Sequence, residues 1–142
     1  MPKRNASATW NGTLKGGSGT MRLGSGAFEG DFSFGTRFQE EPGTNPEELV
    51  GAALAGCFSM ALSSSLEKEG FVPISVVTDS VTTVEDLGDG MALTSIGLKT
   101  EARVKEISDA DFQRIATATK SGCPVSKALT GAEITLSAKL IG

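Results

Sequence analysis

The sequence predicts one α+β domain, residues 1–142, and three observations carry that reading. Apolar and polar residues alternate with a period of two near both ends of the chain and in its middle. Between these strand-like stretches runs an uncharged segment, Leu49 to Leu66, with helix-start chemistry just ahead of it. Glycine is abundant, 18 of 142 residues against an average near 7 %, as a chain with many tight turns requires. With 39 % hydrophobic and 21 % charged residues, the composition is that of a packed domain and excludes a disordered tail.

The elements follow in order. Ala6, Ala8 and Trp10 alternate with Ser7 and Thr9; a turn covers 12–19, and Met21 and Leu23 resume the strand pattern. Gly16-Gly17-Ser18-Gly19 lacks the lysine-hydroxyl ending and the following helix of a phosphate loop, so it reads as a hairpin turn. Phe32, Phe34 and Phe38 predict a further strand, with Arg37 at its end. Asn45 is placed as an N-cap, Pro46 at the first helical position and Glu48 in a capping-box position. The helix they open runs to about Glu69 and stops at Gly70. Two strands come next, about 74–85 and 91–105, the second marked by Ile96, Leu98, Ala102 and Val104. Ser108 with Asp111 caps a second helix whose apolar face is Phe112, Ile115 and Ala116. A short helix begins at Cys123-Pro124, and Ile134, Leu136, Ala138 and Leu140 form a closing strand.

The long helix points to a partner. Some 23 residues span about 35 Å, close to the full diameter of a 142-residue globule with a radius of gyration of about 14–15 Å. A helix apolar all round is hard to wrap with the few strands of one chain. Gly51, Ala52, Ala55 and Gly56 sit at spacings that permit close backbone approach. The reading is an intertwined homodimer, with antiparallel sheets of both chains wrapped around two long buried central helices. The serines inside the segment and the acidic residues at both ends favour this over a membrane span.

Several chemistries are excluded by residue type. The chain has no histidine, so neither Ser-His-Asp nor Cys-His catalysis nor a His-ligated metal site is available. Two cysteines cannot build a four-thiolate zinc site or hold an iron–sulfur cluster. A net charge of −4 without a dense basic run excludes a nucleic-acid partner. Met1-Pro2-Lys3-Arg4 leads into no apolar run, so no signal peptide is expected and the cytoplasm is the expected compartment. In a reducing compartment a cysteine pair points to redox chemistry rather than to a permanent staple.

Cys57 lies mid-helix, where a small buried hydrophobe is the plain structural reading. Cys123 in Gly122-Cys123-Pro124 stands at a helix start, where free amide N–H groups favour the thiolate. Local physics alone therefore selects Cys123 as the nucleophile, and Cys57 needs a cation from elsewhere to ionise. A thiol peroxidase uses such a pair: one thiolate becomes a sulfenic acid and the other condenses with it to a disulfide. Spacing does not decide which attacks first.

Four stretches carry a resemblance to a known family. They are Thr36-Arg37-Phe38, Gly43-Thr44-Asn45-Pro46-Glu47-Glu48-Leu49, Ala53-Leu54-Ala55-Gly56-Cys57-Phe58-Ser59-Met60-Ala61-Leu62, and Ser121-Gly122-Cys123-Pro124-Val125-Ser126. In this order, with a cysteine spacing of about 66 residues, the chain resembles the osmotically inducible protein C and organic hydroperoxide resistance (OsmC/Ohr) family, closer to the first branch. The resemblance extends from Trp10 to the last strand. It implies an OsmC-like fold, an intertwined homodimer, and a cysteine-based hydroperoxide reductase without metal, flavin or other cofactor. It places Cys57 at the peroxidatic position and Cys123 at the resolving one, Arg37 at the arginine that steadies the thiolate and Glu47 at the glutamate that orients it. It also implies reduction by a dithiol, dihydrolipoyl groups, rather than by thioredoxin or glutathione.

Without that resemblance, Arg37 reads as a solvated charge and Glu47 as a partner of the helix dipole. Lys127 could help ionise Cys123 or face solvent. Phe58 and Met60, beside the thiol in sequence, suggest an apolar vestibule for organic hydroperoxides, with hydrogen peroxide an open second substrate. The rival class is a dimeric binding module for an apolar small ligand, its cysteines serving only packing. Helix arithmetic adds one expectation. Glu47 and Cys57 are ten residues apart, about 15 Å along a straight helix. Composite sites relieve that gap, with Cys57 and Cys123 from one subunit and Arg37 and Glu47 from the other.

Overall fold

The computed structural model describes every residue, 1–142, in two compact units, Met1–Leu49 and Val50–Gly142. The first unit is an antiparallel sheet of β1 (Ala6–Asn11), β2 (Ser18–Leu23) and β3 (Glu29–Phe32), in that order, followed by the short helix α1 (Phe34–Phe38). Gly19 on β2 is held between two aromatic rings of its neighbours. A Cβ there would lie 2.7 Å from Phe32 and 2.8 Å from Trp10, whose rings sit 5.3 Å apart.

The strand expected to run on through Phe34 and Phe38 ends at Phe32, and α1 takes its place. The reason is local. The Ser33 hydroxyl accepts the Thr36 N–H at 3.2 Å, and the Thr36 hydroxyl accepts the Ser33 N–H at 2.8 Å, a closed capping box. Phe34 and Phe38 are four residues apart, a helical spacing, and their rings meet at 5.1 Å. Arg37 accordingly sits in the last turn of a helix rather than at a strand end.

The long helix α2 spans Pro46–Lys68. Asn45 caps it by accepting the Glu48 N–H at 2.8 Å. The Glu48 carboxylate accepts the Thr44 hydroxyl at 2.7 Å instead of returning to the Asn45 backbone, so the capping box expected there is replaced by a side-chain pair one residue upstream. At the other end Gly70, with φ +88°, takes the left-handed conformation that closes a helix. The Phe71 N–H then reaches back to the Leu66 carbonyl at 3.0 Å.

In the second unit the sheet order is β4 (Val72–Asp86), β5 (Met91–Lys105), β6 (Glu133–Leu140). β4 and β5 pair antiparallel, as expected of a hairpin, but β6 runs parallel to β5. The antiparallel expectation fails there because α3 (Asp109–Gly122) and α4 (Pro124–Ala128) carry the chain back before β6 starts, the crossover a parallel neighbour requires. Even-numbered residues of β5 point inward: Ile96, Leu98, Ala102 and Val104, as the alternation predicts, and also Thr100, fully buried. Its hydroxyl pairs with that of Thr78 at 2.9 Å and with the Val77 carbonyl at 3.1 Å, and the Ser59 hydroxyl of α2 donates to Thr78 at 2.8 Å.

Leu54, Phe58, Leu62 and Leu66 of α2 complete this core with Phe112, Ile115 and Ala116 of α3. Burial of α2 is one-sided in the chain. The row Leu54–Phe58–Leu62–Leu66 has no exposure, whereas Ala52, Gly56, Met60 and Ser64, on the opposite side at the same spacing of four, are exposed. Of the small residues expected to meet a partner helix, Gly51 turns to its own sheet instead. A Cβ on it would come within 2.6 Å of Ser80 Oγ and 2.9 Å of Thr82 Oγ1.

Candidate active site

Cys57 and Cys123 arrive from different elements of the second unit. Cys57 faces inward at the edge of the buried row of α2 and is half-buried; Cys123 is fully buried. Cys123 is both the C-cap of α3 and the N-cap of α4. Its N–H donates to the Thr119 carbonyl at 3.2 Å, and its carbonyl accepts the Lys127 N–H at 3.1 Å. The extended backbone before Pro124, φ −65° and ψ 133°, breaks the helix between them. Because the side chain is not used as a cap, it is free to point at α2. There the Cys123 thiol donates to the Cys57 sulfur across 2.6 Å.

The two sulfurs differ in acidity. Burial pushes Cys57 above the ordinary thiol range, its hydrogen bond with Cys123 adds to this, and the Val125 N–H opposes it. Burial also acts against ionising Cys123. Its hydrogen bond with Cys57, the Ser126 N–H and hydroxyl, and the Val125 N–H outweigh burial and bring Cys123 below its ordinary value. Once Cys123 ionises, the remaining S–H belongs to Cys57 and points back at it. Within this pair the helix-start thiol is the more acidic, as local physics expects. No cation of the same unit contributes at Cys57. Lys127 is exposed and does not act on Cys123.

Arg37 and Glu47 form a second constellation, in the first unit. Arg37 donates from Nε at 2.8 Å and from Nη2 at 2.7 Å, both to Oε1 of Glu47. The Glu47 side chain is 8 % exposed and that of Arg37 39 %, so a buried carboxylate holds a guanidinium whose outer edge is open. The pairing depends on the cap of α2: Asn45, besides capping, donates from Nδ2 to the Thr36 carbonyl at 3.2 Å, which ties the turn carrying Arg37 to the start of the helix carrying Glu47. Oε2 of Glu47 is buried without a partner.

An apolar pocket of about 270 Å³ opens beside Arg37, lined by Trp10, Leu14, Phe32, Phe34 and Phe38. The vestibule expected from Phe58 and Met60 is not built that way: Phe58 is sealed in the core and Met60 is 79 % exposed. Their neighbourhood to Cys57 in sequence says little about space, since adjacent helical residues point about 100° apart. Ser126, three residues past Cys123, is buried as well, and the sequence shows it only as the end of the Ser121–Ser126 motif. Its spacing of three from a helix cap was the available signal.

The family described as OsmC-like protein matches residues 38–139. This chain belongs to the OsmC-like family. Peroxiredoxin OsmC of Escherichia coli (strain K12) is 45 % identical over 138 residues, 96 % of each chain. The organic hydroperoxide resistance protein OhrB of Bacillus subtilis is 31 % identical over 91 residues, 64 % of this chain and 65 % of that protein. The crystal structure of OhrB superposes with a TM-score of 0.71, covering 95 % of this OsmC-like chain and 98 % of that one at 25 % identity. An OsmC-like protein of unknown function from Vibrio cholerae shares the fold at a TM-score of 0.76, 16 % identity, covering 97 % and 99 %. The OsmC-like fold and the affinity to the OsmC branch, both expected from the motifs, stand.

Proposed function

We propose that this chain is a cytoplasmic, homodimeric, cysteine-based peroxidase that reduces organic hydroperoxides to alcohols. The observation that carries this is the apposition of the two thiols at 2.6 Å in a family whose relatives are named peroxiredoxin OsmC and organic hydroperoxide resistance protein. The Cys57 thiolate attacks the distal oxygen of ROOH; the O–O bond breaks, RO⁻ takes a proton and leaves as alcohol, and Cys57 becomes a sulfenic acid. The Cys123 thiolate attacks the Cys57 sulfur and expels hydroxide, which leaves as water once protonated. A dithiol then reopens the Cys57–Cys123 disulfide and is itself oxidised to a disulfide. The family resemblance points to dihydrolipoyl groups as that dithiol.

Two observations support a dimer with composite sites. The row Ala52–Gly56–Met60–Ser64 is uncharged and exposed along a helix otherwise packed on its own sheet, as a face for a second copy of the helix is expected to be. Cys57 also needs a cation that its own unit does not supply. Glu47 and Cys57 lie on one continuous helix, about 15 Å apart along its axis. Crossed helices would bring the partner's Arg37 and the partner's Glu47 to Cys57, with the apolar pocket beside Arg37 receiving the hydrocarbon part of the substrate.

A steady-state assay of cumene-type, lipid and hydrogen peroxides, each with dihydrolipoyl, thioredoxin and glutathione systems, tests the reading. Consumption of organic hydroperoxides with the dihydrolipoyl system, abolished by Cys57→Ser, is expected. Saturable binding of an apolar ligand that ignores Cys57→Ser, with no turnover, would sink it in favour of a binding module.

A further inference from the structure

Ser126 is one of three residues with a buried side-chain oxygen left without a hydrogen-bond partner, the others being Glu47 and Thr82. An orphaned buried hydroxyl is a cost that Ala at the same place would avoid. Ser126 is 5 % exposed and stands at the third position of α4, whose N-cap is Cys123. Cap and third residue are the pair that a capping box joins across the first turn of a helix, each side chain reaching the other's backbone, and α4 makes no such cap bond. Here the cap side chain is a thiol directed to Cys57, and while that thiol keeps its proton the Ser126 hydroxyl has no hydrogen-bond partner.

We infer that Ser126 is the hydrogen-bond donor to the Cys123 sulfur when that sulfur leaves the disulfide. The inference rests on the peroxidase cycle above and assigns which sulfur the reductant strikes. Cys57 is half-buried and Cys123 has no exposure, so an incoming dithiol reaches Cys57. Its thiolate attacks the Cys57 sulfur, the S–S bond breaks, and the electron pair goes to Cys123. The mixed disulfide on Cys57 is then resolved by the second thiol of the reductant, which releases Cys57 and leaves the reductant oxidised. Cys123 is thereby expelled as a thiolate into a buried place and has lost Cys57 as its donor, because Cys57 is now capped by the reductant. The Ser126 hydroxyl needs only to rotate to donate to it. The same hydroxyl already favours the ionised Cys123 in the reduced protein, and a lower leaving-group pKa speeds disulfide cleavage.

The test uses full-length protein oxidised with diamide, so that it does not depend on peroxide turnover. Ser126→Ala is expected to slow the pre-steady-state reduction of the disulfide by dihydrolipoamide about tenfold, the loss typical of one hydrogen bond to a charged group. Its melting temperature should be unchanged or higher, since the hydroxyl has no structural partner. In a Cys57→Ser background the pH profile of the Cys123 thiolate, followed by its ultraviolet absorbance so that no reagent has to reach the buried sulfur, should move to higher pH on Ser126→Ala and be restored by Ser126→Thr. Unchanged reduction rate and unchanged thiolate profile would overturn the inference. So would a Ser126→Ala protein that loses stability and reduction rate while its thiolate profile stays put, which would mark the hydroxyl as structural. Failure of the peroxidase reading would appear separately, as wild-type protein that is not oxidised by any hydroperoxide.

Discussion

The sulfur of Cys123 lies 2.6 Å from that of Cys57 although 66 residues of chain separate them. One helix cap and one mid-helix position are thus within disulfide reach in the reduced fold, without any rearrangement of α2 or α4. Oxidation by one equivalent of hydroperoxide should therefore remove two hydrogens per chain, and peptide mapping should recover a Cys57–Cys123 link within one chain. Interchain links alone would contradict this. Cys123→Ser should react once with hydroperoxide and then stall as the sulfenic acid or over-oxidise, visible as added oxygen by mass spectrometry.

Glu47 should matter through Arg37. Both guanidinium donors converge on one oxygen of a carboxylate that is 8 % exposed, so Glu47→Ala frees the arginine to sample other rotamers. We expect the rate of Cys57 oxidation, followed by stopped flow, to fall roughly ten- to hundredfold, as for lost hydrogen bonds to charged groups. Glu47→Asp should fall in between. A wild-type rate in Glu47→Ala would show that Arg37 needs no aiming.

Mixed dimers probe the composite site. Cys57→Ser and Arg37→Ala chains, each inactive alone, should regain activity when unfolded together and refolded, because a heterodimer contains one intact site. Persistently inactive heterodimers, with each parent correctly folded, would place the arginine in its own chain. Sedimentation at low nanomolar concentration should show no folded, active monomer.

Gly51 is expected to be intolerant of branched side chains. A Cβ there would come within 2.6 Å of Ser80 Oγ and 2.9 Å of Thr82 Oγ1, and the Thr82 hydroxyl sits on a stiff β-branched side chain. Gly51→Val should lower stability by about 1–3 kcal/mol, the usual cost of overpacking, read from urea unfolding. Gly51→Ala should cost less, since alanine regains about 1 kcal/mol of helix propensity.

Acid should loosen the tie between the end of α2 and α3. Arg114 donates to both oxygens of Glu69, at 2.9 and 2.6 Å, and holds that carboxyl below its ordinary value. A depressed folded pKa means that the contribution is present above the unfolded value, about 4.3, and is lost as pH falls through the lowered one. Glu69→Gln, which resembles the protonated carboxyl, should therefore match the parent in acid and fall slightly below it near neutrality, giving a flatter acid limb; the difference is small because the pair is exposed to solvent. An acid limb as steep in the variant as in the parent would assign it to other carboxylates.

The elements legible in the sequence are those built from contacts within about four residues. Asn45 and Ser108 cap the helices they were expected to cap, Gly70 ends α2, and the alternation of β5 and β6 marks the faces it was expected to mark. Residue inventory alone left two thiols as the available redox groups, and short motifs placed the chain in its family. Tertiary structure decided what depends on long separations. It set the sulfur of Cys123 on Cys57, turned β6 parallel through the α3–α4 crossover, and packed α2 on one side only although its sequence is apolar on all sides. Arg37 marks the boundary between the two kinds of information. Its helix was encoded by Ser33, Thr36 and the spacing of Phe34 and Phe38, but its partner Glu47 lies on another helix. Periodicity records which face a residue takes on its own element; which element comes to meet that face is settled only when the chain packs.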